Sequence, residues 1–282
     1  MRFVKLQASG NDFILVDWRG QPGRDWPALA RRLCHRQLGV GGDGLLLVLS
    51  SRKADLSMRL FNPDGSEAET SGNGLRCFAK YAVEAGLAPR DGVKVETRAG
   101  IKTIVPFLQR GKVARARVNM GTPRLAPKDI PADLPLDITQ ALDYQLKVGG
   151  RVLRASLVSM GNPHAVAFIR GDVSAFPLAR LGPLVESHPL FPQRTNFEVA
   201  RVVSRREIEA RVWERGVGET LSCGTGASAI MVAARLLDKV AEEVSIRLPG
   251  GTLGLSWDGE GDVYLTGYVE QVFEGEIAED WL

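Results

Sequence analysis

Glu219-Thr220-Leu221-Ser222-Cys223-Gly224-Thr225-Gly226 restates, 152 residues further along the chain, Glu67-Ala68-Glu69-Thr70-Ser71-Gly72-Asn73-Gly74. In each stretch a glutamate stands four residues before a hydroxyl or thiol side chain, which a Gly-x-Gly sequence then follows. The offset recurs elsewhere. Phe61-Asn62 returns as Trp213-Glu214, and Ser9-Gly10-Asn11-Asp12-Phe13 returns as Met160-Gly161-Asn162-Pro163-His164 at 151. A repeat of this length gives two similar halves, with matching polar elements as the walls of one shared cleft. Ser71 and Cys223 are expected to stand opposite each other there, and a pair of groups on two sides of a substrate is what inversion of a stereocentre needs.

The whole chain sets wider limits. Its 282 residues suit two domains, each long enough for a core. Hydrophobic residues at 44% and charged ones at 24% are ordinary globular composition. The net charge of +3 comes from scattered arginines not interleaved with aromatics, so no nucleic-acid partner is expected. No apolar run reaches the roughly 18–20 residues of a membrane span, and Met1–Leu6 is too polar for a signal peptide. Cys34, Cys77 and Cys223 form no disulfide framework and suggest a reducing, cytoplasmic setting.

Apolar spacing predicts strands over 2–7, 12–17, 45–49, 56–61, 93–97, 102–107 and 112–118, with helices over 26–36 and 72–86. After a proline-rich connection at 120–143, the order returns. Strands are expected at 154–159, 165–169, 197–203 and 208–213, helices at 176–186 and 224–237, and further strands between 244 and 274. The strands do not alternate regularly with helices, which argues for an α+β fold and against a doubly wound parallel sheet. One domain is therefore expected at 1–119 and the other at 120–270, with 271–282 a candidate to return to the first.

Gly39-Val40-Gly41-Gly42-Asp43-Gly44 has the letters of a dinucleotide fingerprint in reversed context, after a helix and before a strand, and reads as a turn. His35, His164 and His188 have no Cys or His at ligand spacing, so no metal site is expected. Cys223 is the leading candidate for chemistry. It precedes a helix start, where exposed N–H groups and the helix dipole favour thiolate, and its Gly-rich polar loop suggests exposure. Ser71 reads equally as its catalytic counterpart and as an N-cap. Cys34 and Cys77 read as core. Glu214 and Arg215 suit an ammonium and a carboxylate. Asn11, Asn62, Asn162 and Asn196 lie at turns or strand ends, Asn196 matching Gly44 in the repeat, and together point to polar substrate contacts.

These motifs resemble the diaminopimelate epimerase family. Ser9–Phe13, Phe61–Glu67, Ser71–Cys77, Gly161–His164 and the long Glu214–Gly226 segment occur in that family's order across nearly the full chain. The resemblance implies two similar domains, each a β-barrel-like roll around a central helix. It also implies a cofactor-independent isomerase interconverting L,L- and meso-diaminopimelate on the route to lysine and peptidoglycan. Cys223 then corresponds to one catalytic cysteine, and Ser71 falls where the family has the other. Asn11, Asn62, Asn162, Asn196, Glu214 and Arg215 match substrate-binding positions, and Gly72, Asn73, Gly224 and Thr225 match backbone donors for the α-carboxylate. The alternatives are a related racemase or dehydratase with Cys223 as sole thiol base, and a catalytically weak amino-acid-binding homologue. A small-molecule amino acid is the expected partner, with a second copy of the chain as the other candidate.

Overall fold

The computed structural model describes residues 1–281. It divides into two compact units, Met1–Asn119 with Thr266–Leu282, and Met120–Leu265.

The first unit begins with a hairpin, Arg2–Ala8 against Asn11–Asp17, closed by Ser9 and Gly10 at positive φ. Helix α1 (Trp26–Leu33) follows, N-capped by Asp25. Strand Gly44–Leu49 then pairs parallel with the second hairpin strand, Phe13 opposite Gly44. Leu56–Phe61 runs antiparallel to it, Leu45 opposite Phe61. Helix α2 (Gly72–Glu84) packs against strands on several sides and is buried from Asn73 through Lys80. Leu45, Leu46, Leu47 and Val48 are completely buried, because the strand is covered on both faces. Each such side chain contributes about 1.5–3 kcal/mol when fully removed from water. Strand Glu270–Glu276 pairs antiparallel with Arg2–Ala8.

The second unit repeats this wiring. Pro163–Phe168 pairs parallel with Asn196–Ser204, His164 opposite Asn196, and Asn196–Ser204 pairs antiparallel with Glu207–Glu214, Phe197 opposite Trp213. Helix α3 (Leu178–Glu186) connects the two parallel strands, and helix α4 (Gly224–Leu236) stands where α2 stands in the first unit. The register carries the sequence repeat residue for residue: Phe13 and Gly44 become His164 and Asn196, and Phe61 becomes Trp213. An ion pair repeats with it. Arg59 Nε lies 2.7 Å from Glu67 Oε1, and Arg211 Nε lies 2.7 Å from Glu219 Oε1. Each clamps the short strand that leads into the Gly-x-Gly helix start.

Two expectations need amendment. Tyr144–Val148 is a strand, paired with Arg151–Ser159 across a Gly149-Gly150 turn. Its alternating pattern and glycine turn carry the hairpin signal that the preceding prolines obscure. The 120–143 stretch is more than a connection, since Ile130 and Ala141 are buried in the second unit's core.

Candidate active site

Both repeated helix starts are built the same way. Ser71 has extended backbone (φ −150°, ψ 125°) and its Oγ accepts from Gly74 N at 3.1 Å. Cys223 has nearly the same backbone (φ −127°, ψ 119°) and its Sγ accepts from Gly226 N at 3.4 Å. A side chain at this position satisfies one of the N–H groups a helix leaves open at its start. The N–H groups of Gly72 and Asn73, and of Gly224 and Thr225, have no partner among the described residues. Two open donors at the positive end of a helix form an anion cradle in each unit.

In the first unit, Asn73 Nδ2 donates to Asn11 Oδ1 at 3.3 Å, and Asn11 Nδ2 donates to Asp43 Oδ2 at 2.6 Å. Asp43 and Asp12 both pair with Arg36, and Asp12 pairs with Lys5 at 2.6 Å. Burial opposes ionisation of Asp12, but the hydrogen bonds and charges of Arg36 and Lys5 prevail and hold its carboxyl at about 2. Behind Asn73 lies Arg76, completely buried. It donates to Asn73 Oδ1, to Ser9 Oγ and to the Tyr268 carbonyl, with no carboxylate partner among the described residues. Burial brings its guanidinium down to about 10. The helix start that carries Ser71 thus has a buried positive charge beneath it. Asn62 lies in its turn, donating to Ser66 Oγ at 3.0 Å.

In the second unit the surroundings are acidic. Glu214 accepts from Thr220 Oγ1 at 2.5 Å, and its charge bears on the Cys223 thiol. Thr225 Oγ1 lies 3.4 Å from Cys223 Sγ, and Asn162 Nδ2 donates to Thr225 Oγ1 at 3.4 Å. Asn196 has both ends of its amide engaged: Nδ2 donates to the Pro163 carbonyl at 2.8 Å, and Oδ1 accepts from Arg215 N at 2.9 Å. It fixes the backbone that presents Arg215. The Arg215 side chain is exposed and donates to the Gln193 carbonyl at 3.0 Å. Glu186 pins the same loop, accepting from Gly216 N at 2.9 Å and from Trp213 Nε1 at 2.7 Å.

The expected exposure of Cys223 is corrected by the structure. Its residue is only 7% exposed, despite the glycines around it. The expected lowering of its pKa is reversed. Burial and the neighbouring charges of Glu214 and Glu198 push the thiol well above the ordinary cysteine value, and the bonds from Thr225 and Gly226 do not offset them. The helix dipole alone is a poor guide where two carboxyls sit behind the sulfur. Cys34 and Cys77 are buried as expected, and burial pushes both up to about 12. Gly39–Asp43 links α1 to strand Gly44–Leu49, with Gly41 at positive φ.

Asp43, Arg76, Glu186, Glu198 and Thr220 were not legible as site residues. Asp43, Arg76 and Thr220 lie within motifs but carry no sign of their partners, Glu186 and Glu198 lie outside every motif, and only the fold brings each beside a site residue.

The comparisons with known proteins agree on ancestry. The family model for diaminopimelate epimerase matches residues 3–126 and 156–272. Diaminopimelate epimerase of Moorella thermoacetica is 48% identical, covering 99% of this chain and 100% of its own length. That of Pelotomaculum thermopropionicum is 47% identical, covering 98% of each. Among solved structures, a probable proline racemase from Agrobacterium radiobacter superposes with TM-score 0.73 at 17% identity, covering 99% of this chain and 93% of that one. A phenazine biosynthesis protein of the PhzF family from Bacillus anthracis does so at 0.71 and 18%, covering 99% of each. These two share the fold, two similar rolls each around a central helix. Identity near one half over the full length, with a family model that matches most of both units, places the chain in the diaminopimelate epimerase family.

Proposed function

We propose that this chain is an isomerase that epimerises diaminopimelate at its α-carbon without a cofactor, interconverting the L,L and meso forms. The observation that carries the reading is Cys223 as the cap of a glycine-rich helix start, with open N–H donors beside it and the charge of Glu214 bearing on its sulfur.

The chemistry follows from these groups. The α-carboxylate binds the open donors of Gly224 and Thr225, which also take up charge as the α-proton leaves. Glu214 meets the α-ammonium. An ammonium neutralises the charge that keeps the Cys223 thiol protonated, so ligand binding itself brings the thiol toward ionisation. The resting thiol stays protonated and inert until the substrate arrives. Arg215, the most exposed of these groups, takes the carboxylate of the distal amino-acid head, and Asn11, Asn62 and Asn162 supply further polar contacts.

Inversion needs a second proton carrier for the other face, and the reading assigns it to Ser71. A hydroxyl ionises far less readily than a thiol. The buried Arg76 charge and the helix start favour the anion at Ser71, yet the hydroxyl is also occupied as a cap. Ser71 is therefore the weak half of the pair. Turnover of L,L- to meso-diaminopimelate tests this. Ser71→Cys should raise it about 100-fold, within the range for a positioned acid or base. No conversion by either protein, each folded, would overturn the reading.

No described helix is long and apolar enough to cross a membrane. A cytoplasmic setting suits three buried, unpaired cysteines. A homodimer is the assembly we propose, since Tyr268, Val272 and Phe273 stay exposed on one part of the first unit and a second copy would cover them.

A further inference from the structure

Behind Cys223, the second unit buries a glutamate and a histidine on neighbouring parallel strands. His164 and Glu198 have fully buried side chains, with Nδ1 and Oε1 2.7 Å apart. His164 Nε2 lies 2.9 Å from Asn162 Oδ1. The Asn162 amide reaches the Thr225 hydroxyl at 3.4 Å, and that hydroxyl reaches the Cys223 sulfur at 3.4 Å. A line of polar contacts thus runs from Glu198 to the thiol.

The fold does not require this pair. In the first unit Phe13 stands opposite Gly44 and Leu15 opposite Leu46; in the second His164 stands opposite Asn196 and Val166 opposite Glu198. Phe13 and Leu46 therefore hold the positions of His164 and Glu198, and both are buried. The same architecture is filled there by two apolar side chains. A buried ionisable pair is costly to desolvate, and apolar residues of similar volume often serve stability as well or better. The cost is visible here, since Glu198 Oε2 has no hydrogen-bond partner among the described residues. The pair occurs in the half that carries the thiol and is replaced by Phe13 and Leu46 in the half that carries Ser71.

We propose that Glu198 is a positioning residue for proton transfer at Cys223, acting through His164, Asn162 and Thr225. The inference rests on the reading of Cys223 as a proton-transferring thiol. Glu198 holds the imidazole at Nδ1, and the ring's Nε2–H donates to Asn162 Oδ1. The ring fixes which end of the Asn162 amide faces it, so that the amide N–H₂ points at Thr225. Having accepted that bond, the Thr225 hydroxyl turns its own hydrogen to the sulfur, and a donor on sulfur favours the thiolate. Without the pair, the amide and hydroxyl are free to turn.

The test uses Glu198→Gln and a double variant, Glu198→Leu with His164→Phe, which installs the first unit's apolar pair. The double variant should unfold at or above the parent's temperature and bind diaminopimelate within about threefold of it. Its α-proton exchange should fall at least about 10-fold, as expected for losing a positioned supporting group. A purely structural pair gives the reverse, a lower unfolding temperature with exchange intact, and overturns the proposal. If the double variant does not fold, Glu198→Gln decides: lower kcat at unchanged KM supports it, and unchanged kcat sinks it. If the parent neither binds nor exchanges diaminopimelate, the proposed function fails, and iodoacetamide alkylation of Cys223 tests the positioning alone. Thr225→Val should then slow alkylation in the parent and change nothing in the Glu198→Leu/His164→Phe background, where the hydroxyl is no longer aimed. Equal slowing in both backgrounds would refute it.

Discussion

The charge of Glu214 bears on Cys223 and, after burial, is the largest cause of that thiol's raised pKa. The carboxyl and the sulfur are repeat neighbours of Asn62 and Ser71, so the first unit has a neutral amide where the second has an acid. Removing the charge should free the thiol. Glu214→Gln is expected to let Cys223 ionise at lower pH and to speed its alkylation at pH 8 several-fold, because a neighbouring anion disfavours thiolate. Alkylation followed by peptide mapping checks this, and slower labelling of the variant would count against Glu214 as the restraining charge.

Arg215 lies at the edge of the second unit, its backbone held by Asn196 and its side chain exposed. A side chain so placed suits the far end of a two-headed substrate. Arg215→Ala should weaken diaminopimelate binding at least about 10-fold, in keeping with about 1.5–3 kcal/mol for a charge-assisted bond. Binding of alanine, which has one head, should change little. Calorimetric titration of both ligands decides it, and equal losses would reassign Arg215 to the reacting head.

Asp12 makes folding in the first unit depend on acid. Its carboxyl is held at about 2, against an ordinary value of 3.8, by Arg36 and Lys5 in spite of burial. A depressed pKa contributes stability above the unfolded value, and that stability is lost as pH falls from about 4 through about 2. The contribution is about 1–2 kcal/mol once solvent screening of the exposed Arg36 is allowed for. Asp12→Asn should lower stability at pH 7 by that amount and flatten its loss between pH 4 and 2. Denaturant unfolding across that range measures it; a variant with the parent's full acid sensitivity would show that other carboxyls control the transition.

The repeat was legible because it is written in glycines and small polar residues at a nearly fixed offset, and those residues mark backbone turns and helix starts. The helices at Gly72 and Gly224 begin where the Gly-x-Gly motifs put them. Burial was harder to read. A period of two in Phe197-Glu198-Val199 turns Glu198 away from the apolar face, toward solvent. In the fold both α3 and α4 pack against Asn196–Ser204, so both faces are covered and Glu198 is fully buried. Cys223 is buried against expectation for a similar reason: glycines make a loop polar in sequence while letting neighbours close over it. Arg76, six residues into a motif, gave no sign that it would be buried without a carboxylate, because its partners come from Ser9, Asn73 and Tyr268.

The central claim is that Cys223 moves the α-proton of diaminopimelate. Deuterium incorporation from heavy water into the α-position of L,L-diaminopimelate, followed by NMR or mass spectrometry, tests it most directly. The parent should incorporate deuterium at the α-carbon, and Cys223→Ala, still folded and still binding the amino acid, should do so at least about 100-fold more slowly. Exchange at the parent's rate in Cys223→Ala, or binding by the parent with no exchange at all, would contradict the account.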